Sequence, residues 1–427
     1  MSSQRVLILS RGPTSARLGG NAIRAIELAH VLSRSHDVTL ASPGEDPSRG
    51  IPHVQWDPTR PATIAGPLRD ADTVLTMPQD PATHALLKHS GARLIFDLYD
   101  PYPLEVLEAF ANAPVLQRRL HETITGDAFV QALHLGHRFV CASERQRDLW
   151  LGAMLALGLL RGEVYAEDPS FRDRLDVVPL GLPDSAPQAG PGPREQFGLG
   201  PEDEVIVWLG GLWNWVDPQS AVRAMAQLRE SRPQARLIVV APPPSDGSAG
   251  QAAREAHALS AQLGLTGTSV FFTERLVPYE QRGAWLLQAD CGISLHVDHL
   301  ETRFAFRTRL LDYLWAGVPI VCTGGDDLSE LVGREGLGEV TPPSNPAAVA
   351  GALATVLDSG RDAYAPALAQ VAERFTWWRV SEPLRRVLEL ERPTRLGDAA
   401  RLPARPGPPA RALLTRALRA AQRAVSR

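Results

Sequence analysis

The sequence predicts an α/β protein of two doubly wound domains. Three observations carry this: a strand–loop–helix–strand opening, a restart of the same order near residue 205, and a proline- and glycine-rich stretch between the halves. At 427 residues the chain exceeds one ordinary hydrophobic core, so two domains are expected.

Arg5 to Ser10 (RVLILS) reads as a first buried strand. A glycine-containing loop follows, then a helix whose apolar residues Ile23, Ile26, Leu28, Ala29 and Leu32 recur at roughly helical spacing. DVTLAS is the next strand, and a right-handed βαβ unit in a parallel sheet follows from that order. Further strands are expected at 73–76, 94–96, 138–141 and 176–178, with helices at 83–89 and 144–157 between them. Ser185 to Pro193 (SAPQAGPGP) has the composition of an interdomain linker. VIVWL (205–209) then opens the second half. Asp217-Pro218 reads as an N-cap followed by proline at the first helical position, for a helix to about Glu230. Strands RLIVVA and SVFFT, helix PYEQRGAWLLQAD and strand CGISL come next. A helix from about Thr308 to Ala316-Gly317 and a buried strand after Pro319 follow them. Phe375-Thr376-Trp377-Trp378 precedes a last helix, Ser381 to Glu391.

Composition bounds the function. Hydrophobic content of 44% and charge of 22% are ordinary for a globular protein. No apolar run is long enough for a membrane-spanning helix, and the N-terminus turns strand-like too early for a signal peptide. Cys141, Cys291 and Cys322 have neither metal spacing nor a disulfide pattern, so a reducing cytoplasm is expected, and the apolar runs around Cys141 and Cys322 place those two in the core. The net charge of −4 is unevenly spread. Residues 393–427 hold eight arginines and one aspartate, a net of +7, which leaves the body at −11. A basic tail suggests an anionic partner, a membrane surface or nucleic acid. From Arg411 to Arg427 the apolar and arginine residues fall on opposite helical faces, which favours a weak interfacial membrane anchor over nucleic acid. Residues 393–410 read as unstructured. Lys88 is the single lysine, so a fixed cation in a site is an arginine or a helix dipole.

The stretch Glu301–Thr323, ETRFAFRTRLLDYLWAGVPIVCT, carries the most chemistry. Arg303, Arg307 and Arg309 surround a helix start at Thr308, an arrangement suited to a dianion such as a diphosphate. Asp312, one turn in, suits sugar or ribose hydroxyls. Asp97-Leu98-Tyr99-Asp100 follows a strand at the carboxyl edge, where open α/β sheets bind ligands, and its polar groups suit sugar hydroxyls. Two carboxylates without a third ligand do not make a metal site. Gly19, Gly20 and Asn21 form a loop that lets backbone approach a ligand closely. Gly210 and Gly211 precede Trp213 and Trp215, whose rings suit stacking on a base or sugar as well as packing. Ser143-Glu144 reads as a plain N-cap with favourable first-turn charge.

The segment 301–323 resembles the signature of retaining, family 4-like glycosyltransferases with the GT-B fold: two Rossmann-like domains facing across a cleft. Asp312 stands at that pattern's second acid, and Trp315-Ala316-Gly317-Val318-Pro319-Ile320 follows as in the family. Phe304 occupies the first acid's register, with Glu301 three residues upstream and Asp298 six. Gly211 and Val216 stand where the family has an arginine and a lysine, and Tyr99 where it has a histidine. The resemblance covers about residues 5–390. It implies an acceptor domain at 1–183, a nucleotide-sugar donor domain at 184–378, and a helix at 379–392 crossing back to the first. It further implies donor contacts from Gly210, Gly211, Trp213, Arg275, Arg307, Arg309 and Asp312. Acceptor contacts are expected from Gly19, Gly20, Asn21, Asp97 and Tyr99, with Glu301 and Asp100 as candidate catalytic acids. The expected activity is metal- and cofactor-independent transfer of a sugar from a nucleotide diphosphate-sugar to a glycan or lipid-linked acceptor in polysaccharide biosynthesis. The expected location is the cytoplasm, peripheral at the inner membrane face through residues 411–427, with no nucleic acid. A nucleotide-sugar-binding scaffold without turnover, or a two-domain epimerase, stays open on the same residues.

Overall fold

A computed structural model describes residues 3–12, 19–45, 50–240, 250–275 and 277–399. The tail helix expected at 411–427 lies outside the described residues.

Seven strands form the first sheet: β1 (Arg5–Leu9), β2 (Asp37–Ser42), β3 (His53–Gln55), β4 (Thr73–Thr76), β5 (Arg93–Asp97), β6 (Arg138–Cys141) and β7 (Leu175–Val177). Their order is β3-β2-β1-β4-β5-β6-β7, every pair parallel. Its helices are α1 (Gly20–Leu32), α2 (Ala65–Asp70), α3 (Pro81–His89), α4 (Tyr102–Ala109), α5 (Val115–Leu135), α6 (Glu144–Ala156) and α7 (Gly162–Glu167). The second sheet holds β8 (Glu204–Leu209), β9 (Ala235–Val240), β10 (Val270–Phe272), β11 (Cys291–Ser294), β12 (Ile320–Thr323) and β13 (Gly338–Thr341). Its order is β10-β9-β8-β11-β12-β13, again all parallel. With it come α8 (Pro193–Phe197), α9 (Pro218–Leu228), α10 (Gln251–Gln262), α11 (Arg282–Leu287), α12 (Leu300–Phe304), α13 (Thr308–Trp315), α14 (Asp327–Glu335), α15 (Pro346–Ser359) and α16 (Arg361–Ala372).

The reason for parallel sheets is visible in the strands. Val205, Ile206, Val207 and Trp208 are all fully buried, and so are Leu94, Ile95 and Phe96. A strand covered on both faces needs apolar side chains on both. The helices start where side chains satisfy their first free N–H groups. Asp80 caps α3, Ser143 caps α6, Asp217 caps α9 and Asn345 caps α15, each accepting from a first-turn amide. The expected helix over 278–290 is instead a 3₁₀ turn at Tyr279–Gln281 followed by the six-residue α11. There Gly283 sits tightly against Pro187 and Trp315, so the linker presses on the helix.

Residues after α16 return to the first sheet through α17 (Trp377–Val380) and α18 (Glu382–Glu389). Leu182 and Phe375/Trp377 exchange backbone hydrogen bonds, Arg93 donates to the carbonyls of Val387 and Leu388, and Arg386 pairs with Asp176 at 2.9 Å. The expectation that 393–399 is unstructured is corrected. Leu396 is buried, its N–H bonds to the Gly136 carbonyl, and Arg174 donates to Thr394 O. Leu396 supplies enough apolar burial to hold this short run of polar chain on the domain. Among the described residues no helix is long and apolar enough to cross a membrane.

Candidate functional site

Both sheets reverse strand order at one point, between β1 and β4 in the first and between β8 and β11 in the second. Ligands in such sheets bind outside the carboxyl ends of strands near that reversal. A cavity of about 550 Å³ lies there. Its lining follows the ends of β1, β5, β8 and β11: Gly19, Gly20 and Asn21; Tyr99, Asp100 and Glu105; Trp213, Asn214 and Trp215; Ser294, His296 and Glu301. Arg307, Thr308 and Arg309 complete it.

The second domain makes the cationic wall. α13 begins at Arg307 without a side-chain cap, unlike α3, α6, α9 and α15. Leu310 N–H bonds to Arg307 O, and the Thr308 and Arg309 amides ahead of it keep their donor capacity beside the cavity. Arg307 is buried, with Nε 3.0 Å from Asp326 Oδ2 and one Nη donating to Thr323 O; its other Nη has no partner. Arg309 donates one Nη to Gly211 O at 3.0 Å, and its second Nη is buried without a partner. Two guanidinium nitrogens thus stand unsatisfied beside an uncapped helix start, the donor chemistry that grips a phosphate. Burial depresses the Arg309 pKa.

Gly210 and Gly211 do not line the cavity; they make room for what does. Gly210 has φ of +109°, and a Cβ on it would stand 3.2 Å from an Arg309 Nη. A Cβ on Gly211 would press on the Trp213 ring. Trp213 is 48% exposed and stacks on Trp215 with centroids 5.6 Å apart and planes 10° from parallel. The stack leaves an aromatic edge at the cavity mouth.

The first domain makes the acidic wall. Asp100 and Glu105 share a hydrogen bond, and burial raises the pKa of both. Glu105 is pushed well up by burial and then by the Asp100 charge, so Glu105 holds the proton and donates it. Tyr99 is buried and its hydroxyl donates to the Asn21 side chain. Burial holds that phenol well above its ordinary range. Glu301, on α12, closes the space between the walls. It is 3% exposed, its Oε2 has no hydrogen-bond partner, and burial moves it from 4.5 to about 7. His296 is 5% exposed with an unpartnered Nδ1, and burial, Arg307 and Arg309 keep it neutral.

Several expected contacts lie elsewhere. Asp312 is not a cavity residue: its carboxylate takes the Arg282 Nε at 2.9 Å, so its charge is claimed by that neighbour. Asp97 lies beneath the cavity, locked in a two-pronged pair with Arg24 at 2.5 and 3.0 Å. Arg275 and Arg303 are exposed and outside the lining. Glu105 and His296 were missed by sequence reasoning. His296 follows β11 at the same carboxyl edge that singled out Asp100, and Glu105 sits five residues after Asp100 at a helix start, so both carried a usable signal.

Residues 203–359 match the model of the family described as glycosyl transferases group 1. No curated protein matches the sequence. Among solved structures, HepE from Anabaena in complex with UDP and glucose is 14% identical, with a TM-score of 0.66 over 90% of this chain and 99% of that one. Sucrose-phosphate synthase from Thermosynechococcus elongatus is 15% identical, with a TM-score of 0.63 over 90% and 98%. An α,α-trehalose-phosphate synthase from Burkholderia xenovorans, in complex with glucose-6-phosphate, is 15% identical, with a TM-score of 0.62 over 91% and 100%. The chain has the GT-B fold of these structures, and its residues 203–359 match the group 1 glycosyl transferase model.

Proposed function

We propose that the protein transfers a sugar from a nucleotide diphosphate-sugar to a glycan or lipid-linked acceptor, with retention and without a metal or other cofactor. One observation carries this reading: two partnerless guanidinium nitrogens, on Arg307 and Arg309, flank the uncapped start of α13 inside the cavity. Such donors stabilise charge that builds on a departing diphosphate, in a place too dry for water to screen it. Arg309 is the main phosphate group, because Arg307 is already committed to Asp326 and Thr323. Trp213 stacks on the nucleoside, Glu301 contacts the donor sugar, and Asp100 handles the acceptor hydroxyl. That HepE structures hold UDP or UDP-glucose supports a uridine nucleotide as the first donor to try. In this reading the basic segment 411–427 brings the enzyme to an anionic membrane carrying the acceptor.

The test is nucleoside diphosphate release from a panel of nucleotide-sugars, by the full chain and by Arg309→Ala. The reading requires release by the parent protein and a loss in the variant of at least about tenfold, since a charged hydrogen bond is removed. Binding of a nucleotide-sugar with no release, with or without glycan acceptors, would convert the reading to a scaffold without turnover.

A further inference from the structure

The reading above leaves the acceptor's chemistry open, and the first-domain wall narrows it. Among the described residues, the cavity lining contributed by that domain has no lysine, arginine or histidine. It offers the Asp100 and Glu105 carboxyls, the Tyr99 hydroxyl, and an apolar strip of Tyr102, Val106, Ala109 and Phe110. Two described cations lie outside that lining: Arg11, which acts on Asp100 and lies 5.4 Å over the Tyr102 ring, and Arg24, 4.9 Å over the Tyr99 ring and paired with Asp97. A second observation points to a ligand here. His296, on the opposite wall, is buried with a neutral, partnerless ring nitrogen, and Glu301 Oε2 is buried without a hydrogen bond, with His299 Nδ1 3.8 Å away. Buried polar atoms cost free energy unless a partner satisfies them. A hydroxyl, both donor and acceptor, satisfies either one.

We propose that the Asp100–Glu105 carboxyl pair is an acceptor filter: it takes an uncharged sugar end by its hydroxyls and rejects acceptors that bring a phosphate or carboxylate to that wall. The proposal rests on the glycosyl-transfer reading, of which it specifies the acceptor half. With its one proton held between the two groups, the pair accepts from sugar hydroxyls through its remaining carboxyl oxygens. The apolar strip takes the C–H face of the ring. A phosphate there would meet the Asp100 carboxylate where no described lining residue of that domain is a cation, a like-charge juxtaposition that costs affinity.

The experiment uses the full chain saturated with UDP and matched ligand pairs: glucose, mannose and N-acetylglucosamine, each against its 6-phosphate, followed by saturation-transfer NMR and competition. The parent protein is expected to bind at least one neutral sugar at least about tenfold more tightly than its phosphate. Asp100→Asn with Glu105→Gln should shrink that ratio at least about fivefold, because the repelling charge is gone while the shape stays. A phosphate ester that binds as well as its parent sugar overturns the filter, and so does the absence of binding by all three neutral sugars. The wild-type comparison decides without the variant, should the variant not fold. UDP binding itself, measured first by calorimetry, separates the two failures: without UDP binding the transfer reading falls, whereas UDP binding with a phosphate preference removes the filter alone.

Discussion

The two walls of the cavity are built from the same kind of sheet and carry opposite chemistry. On the second domain, arginines crowd an uncapped helix start, with two guanidinium nitrogens left for a ligand. On the first, the buried Arg24 is spent on Asp97 and the Pro179 carbonyl, and carboxyls face the cavity instead. The fold fixes where ligands bind, at the strand ends of both halves; which charges are spent and which are left free fixes what binds. Tracing each arginine's partners shows which ones are left for a ligand.

The strongest way to break the comparison is to remove a spent arginine on each side. Arg24→Ala strands the buried Asp97, and Arg307→Ala strands the buried Asp326. Each should cost about 3–5 kcal/mol of stability, because a buried charge loses its partner. Chemical denaturation reads this out. A loss below about 1 kcal/mol for Arg307→Ala would mean that its guanidinium is free for ligand, as Arg309's is.

Glu301 stands between the walls and titrates. Its pKa is about 7 in the folded protein against 4.5 ordinarily, so the folded state holds the proton more tightly than the unfolded chain. Its stabilising contribution is fully present below pH 4.5 and is lost as the pH rises through 7, by linkage on the order of 3 kcal/mol. Glu301→Gln should therefore flatten the fall in stability between pH 5 and pH 8 seen by urea denaturation. An unchanged slope in the variant would assign that fall to other groups, such as Glu105.

A smaller effect sharpens the donor side. Trp213→Ala should weaken UDP binding by about 1 kcal/mol, the usual scale for an aromatic partner of a base. The uridine absorbance or ring-current shifts should change with it. No change in affinity would leave the Trp213–Trp215 stack as packing.

The fold was legible because its signals are local and repeated. The apolar runs at 5–10, 37–42, 73–76 and 205–209 became central strands of two parallel sheets, and Asp217-Pro218 started a helix as written. Short or polar elements such as β3 and the long α5, with little apolar periodicity, passed unread. In the site, Arg307, Arg309, Trp213, Tyr99, Asp100, Glu301 and the Gly19–Asn21 loop all reach the cavity. Asp312, Asp97, Arg275 and Arg303 do not. Sequence places a residue at a strand end or helix start but does not say which partner will claim its charge. Arg282 claims Asp312 and Arg24 claims Asp97, from 30 and 73 residues away. Those pairings exist only once the chain is folded.

Calorimetry of UDP with the parent protein, Arg309→Ala and Asp100→Asn tests the central claim most directly. The account predicts that Arg309→Ala weakens binding by about 1.5–3 kcal/mol, while Asp100→Asn, on the other wall, changes it by less than about 0.5 kcal/mol. Equal affinities for the parent and Arg309→Ala, or a larger loss from Asp100→Asn, would contradict it.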